Sequence, residues 1–168
     1  MRETENSVLN SDADLNKLIG MLTQAYSHKW ISYYQSWIGA LLMEGPMRNE
    51  IKPEMSILSK QELNHALSIK RRIIQLGEVP PTGLSVTMKH PHCQPPTDNH
   101  IKFILNQSLI NKRYAIEMYK EIADFTYEKD PLTHGLVTSI LNDELTHKRE
   151  LEKWLNDIAG IKSEVTLN

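Results

Sequence analysis

Two Glu-x-x-His motifs, Glu62-Leu63-Asn64-His65 and Glu144-Leu145-Thr146-His147, are the groups in this chain best suited to chemistry. On a helix, a residue three positions on returns to the same face, so each motif can offer a carboxylate and an imidazole to one ion. Two such helices facing each other would supply several ligands to one metal site. Carboxylate and imidazole together suit iron, manganese or zinc. Both motifs fall where their helices should be apolar. Buried carboxylates are costly unless compensated, and a divalent cation compensates them well.

The elements that must position these motifs are four periodic segments. The first runs from about Asp12 to Met43, with Ser11, Asp12 and Asp14 as a cap and acidic first turn. Gly45-Pro46 ends it and turns the chain. The second begins between Met47 and Pro53 and runs to about Leu76, where Gly77 stops it. Its stripe is Ile51, Met55, Leu58, Glu62, His65, Ile69, Ile73 and Leu76. The third spans about His100 to Tyr127. There Phe103, Ile110, Tyr114, Glu117 and Asp124 share a face beside the apolar Leu105, Met118 and Ile122. The fourth runs from about Leu132 to Ala159, after an Asp130 cap and Pro131 at the first helical position.

Between Glu78 and Asn99 lie Pro80, Pro81, Pro91, Pro95 and Pro96, without helical period. So long a loop is uncommon in a compact domain unless it has a topological task. At about 3.3 Å per residue it can reach along a bundle some 45 Å long. The expectation is all-α: an up-down four-helix bundle with one long crossover between helices two and three. Residues 12–160 form the bundle, with tails at 1–11 and 161–168.

Hairpin geometry tests whether the motifs meet. Glu62 lies about as far after Gly45-Pro46 as Lys29 lies before it. With a turn near Asp130-Pro131, Glu144 stands in the same relation to Glu117. The expected layer is Glu62, His65, Glu117, Glu144 and His147, with Lys29 completing the ring.

This pattern resembles the ferritin-like superfamily, whose di-iron sites take one Glu from each of two helices and a Glu-x-x-His from each of the other two. The stretch Tyr33-Tyr34-Gln35-Ser36-Trp37-Ile38-Gly39-Ala40 and the turn Gly45-Pro46-Met47-Arg48 look most like the bacterioferritin-like and Dps-like branch. The resemblance implies bridging carboxylates at Glu62 and Glu144, terminal imidazoles at His65 and His147, and a terminal carboxylate at Glu117. It implies iron as the metal, with zinc or manganese as alternatives, dioxygen or peroxide as oxidant, and a homo-oligomer. Where it calls for a Glu on the first helix, the chain has Lys29. The Tyr positions two turns later hold Ser36 on the first helix and Asp124 on the third.

Four carboxylates balance two divalent ions, whereas three carboxylates and one ammonium balance one. Lys29 is therefore expected to occupy or crowd the first metal position and to pair with Glu62. Nearby carboxylates keep such an ammonium protonated. His28 adjoins Lys29 but sits about 100° around the helix. The leading expectation is an iron-binding protein of the iron oxidation, storage or oxidative-stress protection kind, with an incomplete site holding one metal or none and weak or absent ferroxidase activity. The alternative is a non-catalytic structural or assembly protein in which Lys29 pairs with former ligand carboxylates. A third is another oxidative enzyme of the same superfamily, with an open channel to the site.

Other features have plainer readings. Tyr33, Tyr34 and Trp37 at helical spacing suit packing or an interface better than a redox relay. His90, His92, Cys93 and His100 match no strong metal spacing. Lys70, Arg71 and Arg72 read as a solvated helix face. Lys plus Arg is 19 against 21 Asp plus Glu, so no bulk basicity attracts nucleic acid or anionic membrane. In the first tail, Arg2 stands against Glu3 and Glu5, which disfavours DNA. No apolar run approaches the roughly 18 residues of a membrane helix. One cysteine, Cys93, fits a reducing cytoplasm.

Overall fold

The computed structural model describes residues 11–82 and 97–165, with side chains described as far as Ile161. The described residues form four helices: α1 Asp12–Leu42, α2 Arg48–Gln75, α3 Ile101–Thr126 and α4 Pro131–Val165. Their ends follow local chemistry. The Ser11 hydroxyl accepts from the Asp14 backbone N–H at 3.2 Å and caps α1. Gly77, at φ 89°, closes α2: its N–H donates to Ile74 O and that of Glu78 to Ile73 O, the pair of bonds of a Schellman end. Asp130 Oδ1 accepts from the Thr133 N–H at 3.2 Å and caps α4. This last helix runs past Gly160 to Val165, so the expected break at Ala159 is not found and part of the expected C-terminal tail is helical. Gly160 lies on an exposed stretch, where a single glycine costs only about 1 kcal/mol against alanine and need not end a helix.

The α1–α2 turn and the start of α3 lie at the same end of the bundle. Glu44 N–H donates to Asn99 O, and Ile101 N–H donates to Glu44 O, both at 2.8 Å. At the other end, the last turn of α2 meets the α3–α4 turn through Arg72 and Asp130. The segment between α2 and α3 therefore joins opposite ends of the bundle, as expected of the crossover. The His90-Pro91-His92-Cys93 segment lies outside the described residues. No helix among the described residues is long and apolar enough to cross a membrane.

The buried apolar residues form two clusters. One holds Leu18, Leu22, Ile69, Ile73, Tyr119, Ile122, Val137 and Ile140. The other holds Met43, Ile51, Met55, Ile101, Leu105, Leu151 and Ile158. At Gly39, α1 and α3 approach so closely that an added Cβ would stand 2.8 Å from the Ile104 methyl. On each helix the gap between the two clusters falls at mid-length, and there the chain places Lys29, Glu62, Lys112, Glu144 and His147.

Candidate metal centre

All five of these side chains are buried, with Lys29, Glu62 and Glu144 at 0% exposure. Lys29 Nζ donates to Glu62 Oε2 at 2.7 Å and to Glu144 Oε1 at 2.5 Å. Lys112 Nζ contacts Glu62 Oε1, and also Glu144, whose Oε2 lies 3.2 Å away. Each ammonium thus touches both carboxylates. Each also adjoins one imidazole region: Lys112 Nζ is 3.4 Å from His147 Nδ1, while His65 Nδ1 lies 3.8 Å from the Glu144 oxygen that Lys29 holds. Lys29 Nζ also sits 5.4 Å from the Tyr119 ring centroid, a cation–π contact.

Burial alone would lower the Lys29 pKa, but the Glu144 and Glu62 charges outweigh it and raise it above the usual ammonium value. Burial would likewise raise Glu62, yet Lys112 and Lys29 hold its carboxyl far below the usual range. The two imidazoles go the other way. Burial, reinforced by the Lys112 charge, pushes His147 down to about 4. Burial and the Lys29 charge lower His65, despite its 3.0 Å contact with Asp143. Burial, then the nearby Glu144 and Glu62, raises the Tyr119 phenol well above its ordinary value, so it stays neutral. Lys29 is therefore an ammonium and Glu62 an ionised carboxylate clamped by both lysines, beside two neutral imidazoles.

The sequence placed Lys29, Glu62, Glu144 and His147 in one layer, and the structure brings them together. His65 lies at its edge, half-buried and turned toward Asp143. Glu117 does not join them. It is exposed and pairs with Lys120 at 2.8 Å on the outer surface of α3. The turn is centred on Tyr127–Asp130, where Glu128 takes φ 59°, and Asp130-Pro131 begins α4 instead of marking the turn's middle. An error in a hairpin's centre displaces the facing residue by twice that error, which moves the facing position from Glu117 to the neighbourhood of Lys112, the buried residue there that contacts Glu144. Tyr119, seven residues after Lys112, then holds the inward position that had been assigned to Asp124, which is exposed. The inward face of α3 runs through Ile101, Leu105, Lys112, Ala115, Tyr119 and Ile122, whereas Ile110 is exposed. The three-four spacing of that apolar set was the available signal for Lys112. A lysine on it reads as solvated unless a buried partner is known.

One further expectation changes. Arg72 is not on a solvated face: it is buried and bound to Asp130 and Thr133. His28, expected off the Lys29 face of α1, is buried with its ring 5.1 Å from that of Tyr114.

Donor atoms of Glu62, Glu144 and His147 lie within 4.8 Å of one another, close enough to share one cation. The charges around them do not fit a pair of divalent ions. Two carboxylates facing two ammoniums sum to zero, which leaves no negative charge to hold four positive ones. The α1 and α3 positions that would carry the remaining carboxylates carry lysines instead.

The fold has known counterparts. The family model described as "Ferritin-like domain" matches residues 19–161. A DNA protection during starvation protein from Pyrococcus furiosus is 29% identical over 148 residues, 84% of this chain and 78% of that protein. The dodecameric thioferritin, or bacterioferritin-related protein, of Bacteroides fragilis superposes with a TM-score of 0.89 at 36% identity, covering 94% of this chain and 95% of that one. A Dps protein from Vibrio cholerae shares the fold at a TM-score of 0.80 and 14% identity, over 85% and 91% of the two chains. With residues 19–161 of its 168 inside the family model and the Glu-x-x-His pair facing across the bundle, the chain belongs to the ferritin-like domain family.

Proposed function

We propose that this chain is a ferritin-type subunit whose mid-bundle centre is an internal ion-pair network and not an iron-oxidising site. At the level of the family, the activities in question are iron storage and DNA or oxidative protection. The observation that carries the reading is that Lys29 and Lys112 each contact both Glu62 and Glu144 in a layer closed to solvent. Ligand carboxylates that are neutralised by built-in ammoniums have no charge left to attract ferrous iron. The role that remains is structural: a stable bundle that assembles with copies of itself. Support for assembly comes from the dodecameric Bacteroides fragilis relative at 36% identity and from exposed Tyr34, Trp37 and Leu41, which follow one another along α1. Iron handled by such an assembly would be cargo, and its oxidation by dioxygen or peroxide would take place away from this layer.

The test is to add ferrous iron anaerobically, desalt, measure bound metal, and then follow oxidation on admitting air. The expected result is well under one tightly held iron per chain and an oxidation rate equal to that of buffer. Stoichiometric binding with catalysed oxidation would overturn the reading. One observation favours a second possibility, a single-ion site: the 4.8 Å grouping of Glu62, Glu144 and His147 donors. Lys112 would have to swing away, and the same assay would then report about one ion per chain, lost in His147→Ala.

A further inference from the structure

We infer that the two ammoniums are one-for-one replacements for two metal ions, so that the centre is a charge-swapped di-metal site that two substitutions convert back. The inference rests on the closed-centre reading above and deepens it.

The geometry of the contacts supports it at both positions. A metal bound between α2 and α4 would share both Glu62 and Glu144, and each ammonium does so. Each position also has its own imidazole: Lys112 lies 3.4 Å from His147, and Lys29 lies on the His65 side, bound to the oxygen nearest His65 Nδ1. The two lysines come from the two helices without a Glu-x-x-His motif, α1 and α3, which are where a four-helix carboxylate site takes its remaining ligands. One lysine among three glutamates would leave a residual charge of minus two, and a partial site. Two lysines with two glutamates leave none. Both exchanges together produce neutrality, and the layer stays buried without an ion. The two carboxylates and His147 keep their donor atoms within 4.8 Å of one another, and His65 stands at the edge of the same layer, at mid-length of the bundle between its two apolar clusters.

This leads to a ladder of stoichiometry. Each Lys→Glu exchange changes the formal charge by minus two, the charge that one divalent ion neutralises. The wild type, Lys29→Glu, Lys112→Glu and the double variant Lys29→Glu/Lys112→Glu are expected to retain about zero, one, one and two Zn²⁺ or Co²⁺ per chain after dialysis, read by elemental analysis. Bound Co²⁺ should in addition show visible d–d absorption that grows by a similar increment at each step. Glu117→Gln in the double variant should leave the count unchanged, because that carboxylate is on the outer face. The double variant without metal buries four carboxylates and should melt well below wild type, and Zn²⁺ should restore it.

If the double variant folds only when metal is present, the inference is supported. If it does not fold even then, the single variants decide: about one ion each supports the inference, and none overturns it. Folded variants that gain no ion, or a single exchange that gains two, also overturn it. A wild type that already holds one ion while each exchange adds another would defeat the metal-free reading and leave the one-for-one replacement standing. A metal-free wild type whose folded variants stay metal-free would do the reverse.

Discussion

Two ion-pair clusters are buried in this bundle, and they neutralise their charges by different means. In the middle, Lys29, Lys112, Glu62 and Glu144 come from four different helices and meet side chain to side chain. At the end, Arg72 Nη2 meets both oxygens of Asp130 at 2.9 and 2.7 Å, and Arg72 Nε donates to Thr133 Oγ1 at 2.7 Å. Asp130 there also accepts from the Thr133 backbone N–H, so one carboxylate pairs a charge and caps α4. Its pKa is depressed against burial by the Thr133 and Arg72 hydrogen bonds. The end cluster is anchored to backbone and fixes where α2 meets the α3–α4 turn. The middle cluster has no such anchor and holds only while its charges balance. Loss of one member should therefore cost more in the middle than at the end, whereas loss of the whole set should cost least in the middle.

The largest expected effect sharpens that contrast. Lys112→Ala leaves two buried carboxylates facing one ammonium and should destabilise the fold by about 3–5 kcal/mol in urea unfolding. Replacing all four at once, as Lys29→Met, Glu62→Leu, Lys112→Met and Glu144→Leu, should be neutral or stabilising, because the desolvation cost disappears with the pairs. A harmless Lys112→Ala would mean that the middle charges are hydrated and that the contrast fails.

The pH dependence comes next. The unfolded chain protonates His147 near the ordinary 6.5, while the folded protein resists until about 4. Between those values the unfolded state binds more protons, so stability rises with pH across the window and falls on acidification, by up to about 3 kcal/mol. His65, also lowered, acts in the same sense. Glu62, whose folded pKa lies far below its usual 4.5, adds a further loss as the pH falls below that value. From pH 7 to 4 wild type should lose more stability than His147→Gln, whatever gap separates the two at pH 7; parallel melting curves would sink the assignment.

At the end of the bundle, Asp130→Ala removes an ion pair and a helix cap together and should cost about 2 kcal/mol, since Arg72 can turn toward Gln75 and solvent. The smallest effect is expected on the outer face. Glu117→Ala breaks an exposed pair with Lys120 and should shift stability by less than about 0.5 kcal/mol. A loss of several kcal/mol there would return Glu117 to the core and undo the placement of Lys112.

The α1–α2 half of the site was legible because its turn carries its own punctuation. Gly45, at φ 121°, and Pro46 mark the middle of the hairpin, so counting outward pairs Lys29 with Glu62 correctly. The α3–α4 half was not. Its left-handed residue is Glu128, with no glycine to announce it, and the conspicuous Asp130-Pro131 pair begins the next helix. The same difficulty hid Arg72: three basic residues in a row read as solvated, and only the opposing turn supplies the buried carboxylate that draws the last of them in.

From the sequence alone followed four helices, a crossover after the second, and a Glu-x-x-His at mid-length on α2 and α4. Caps, glycines and apolar spacing are local, and local chemistry is enough to set them. Tertiary structure decided which face of α3 turns inward, and so whether a carboxylate or an ammonium completes the layer. Periodicity states which residues share a face, but α3 carries apolar residues on more than one face, and the choice between them is made by the helices packed against it.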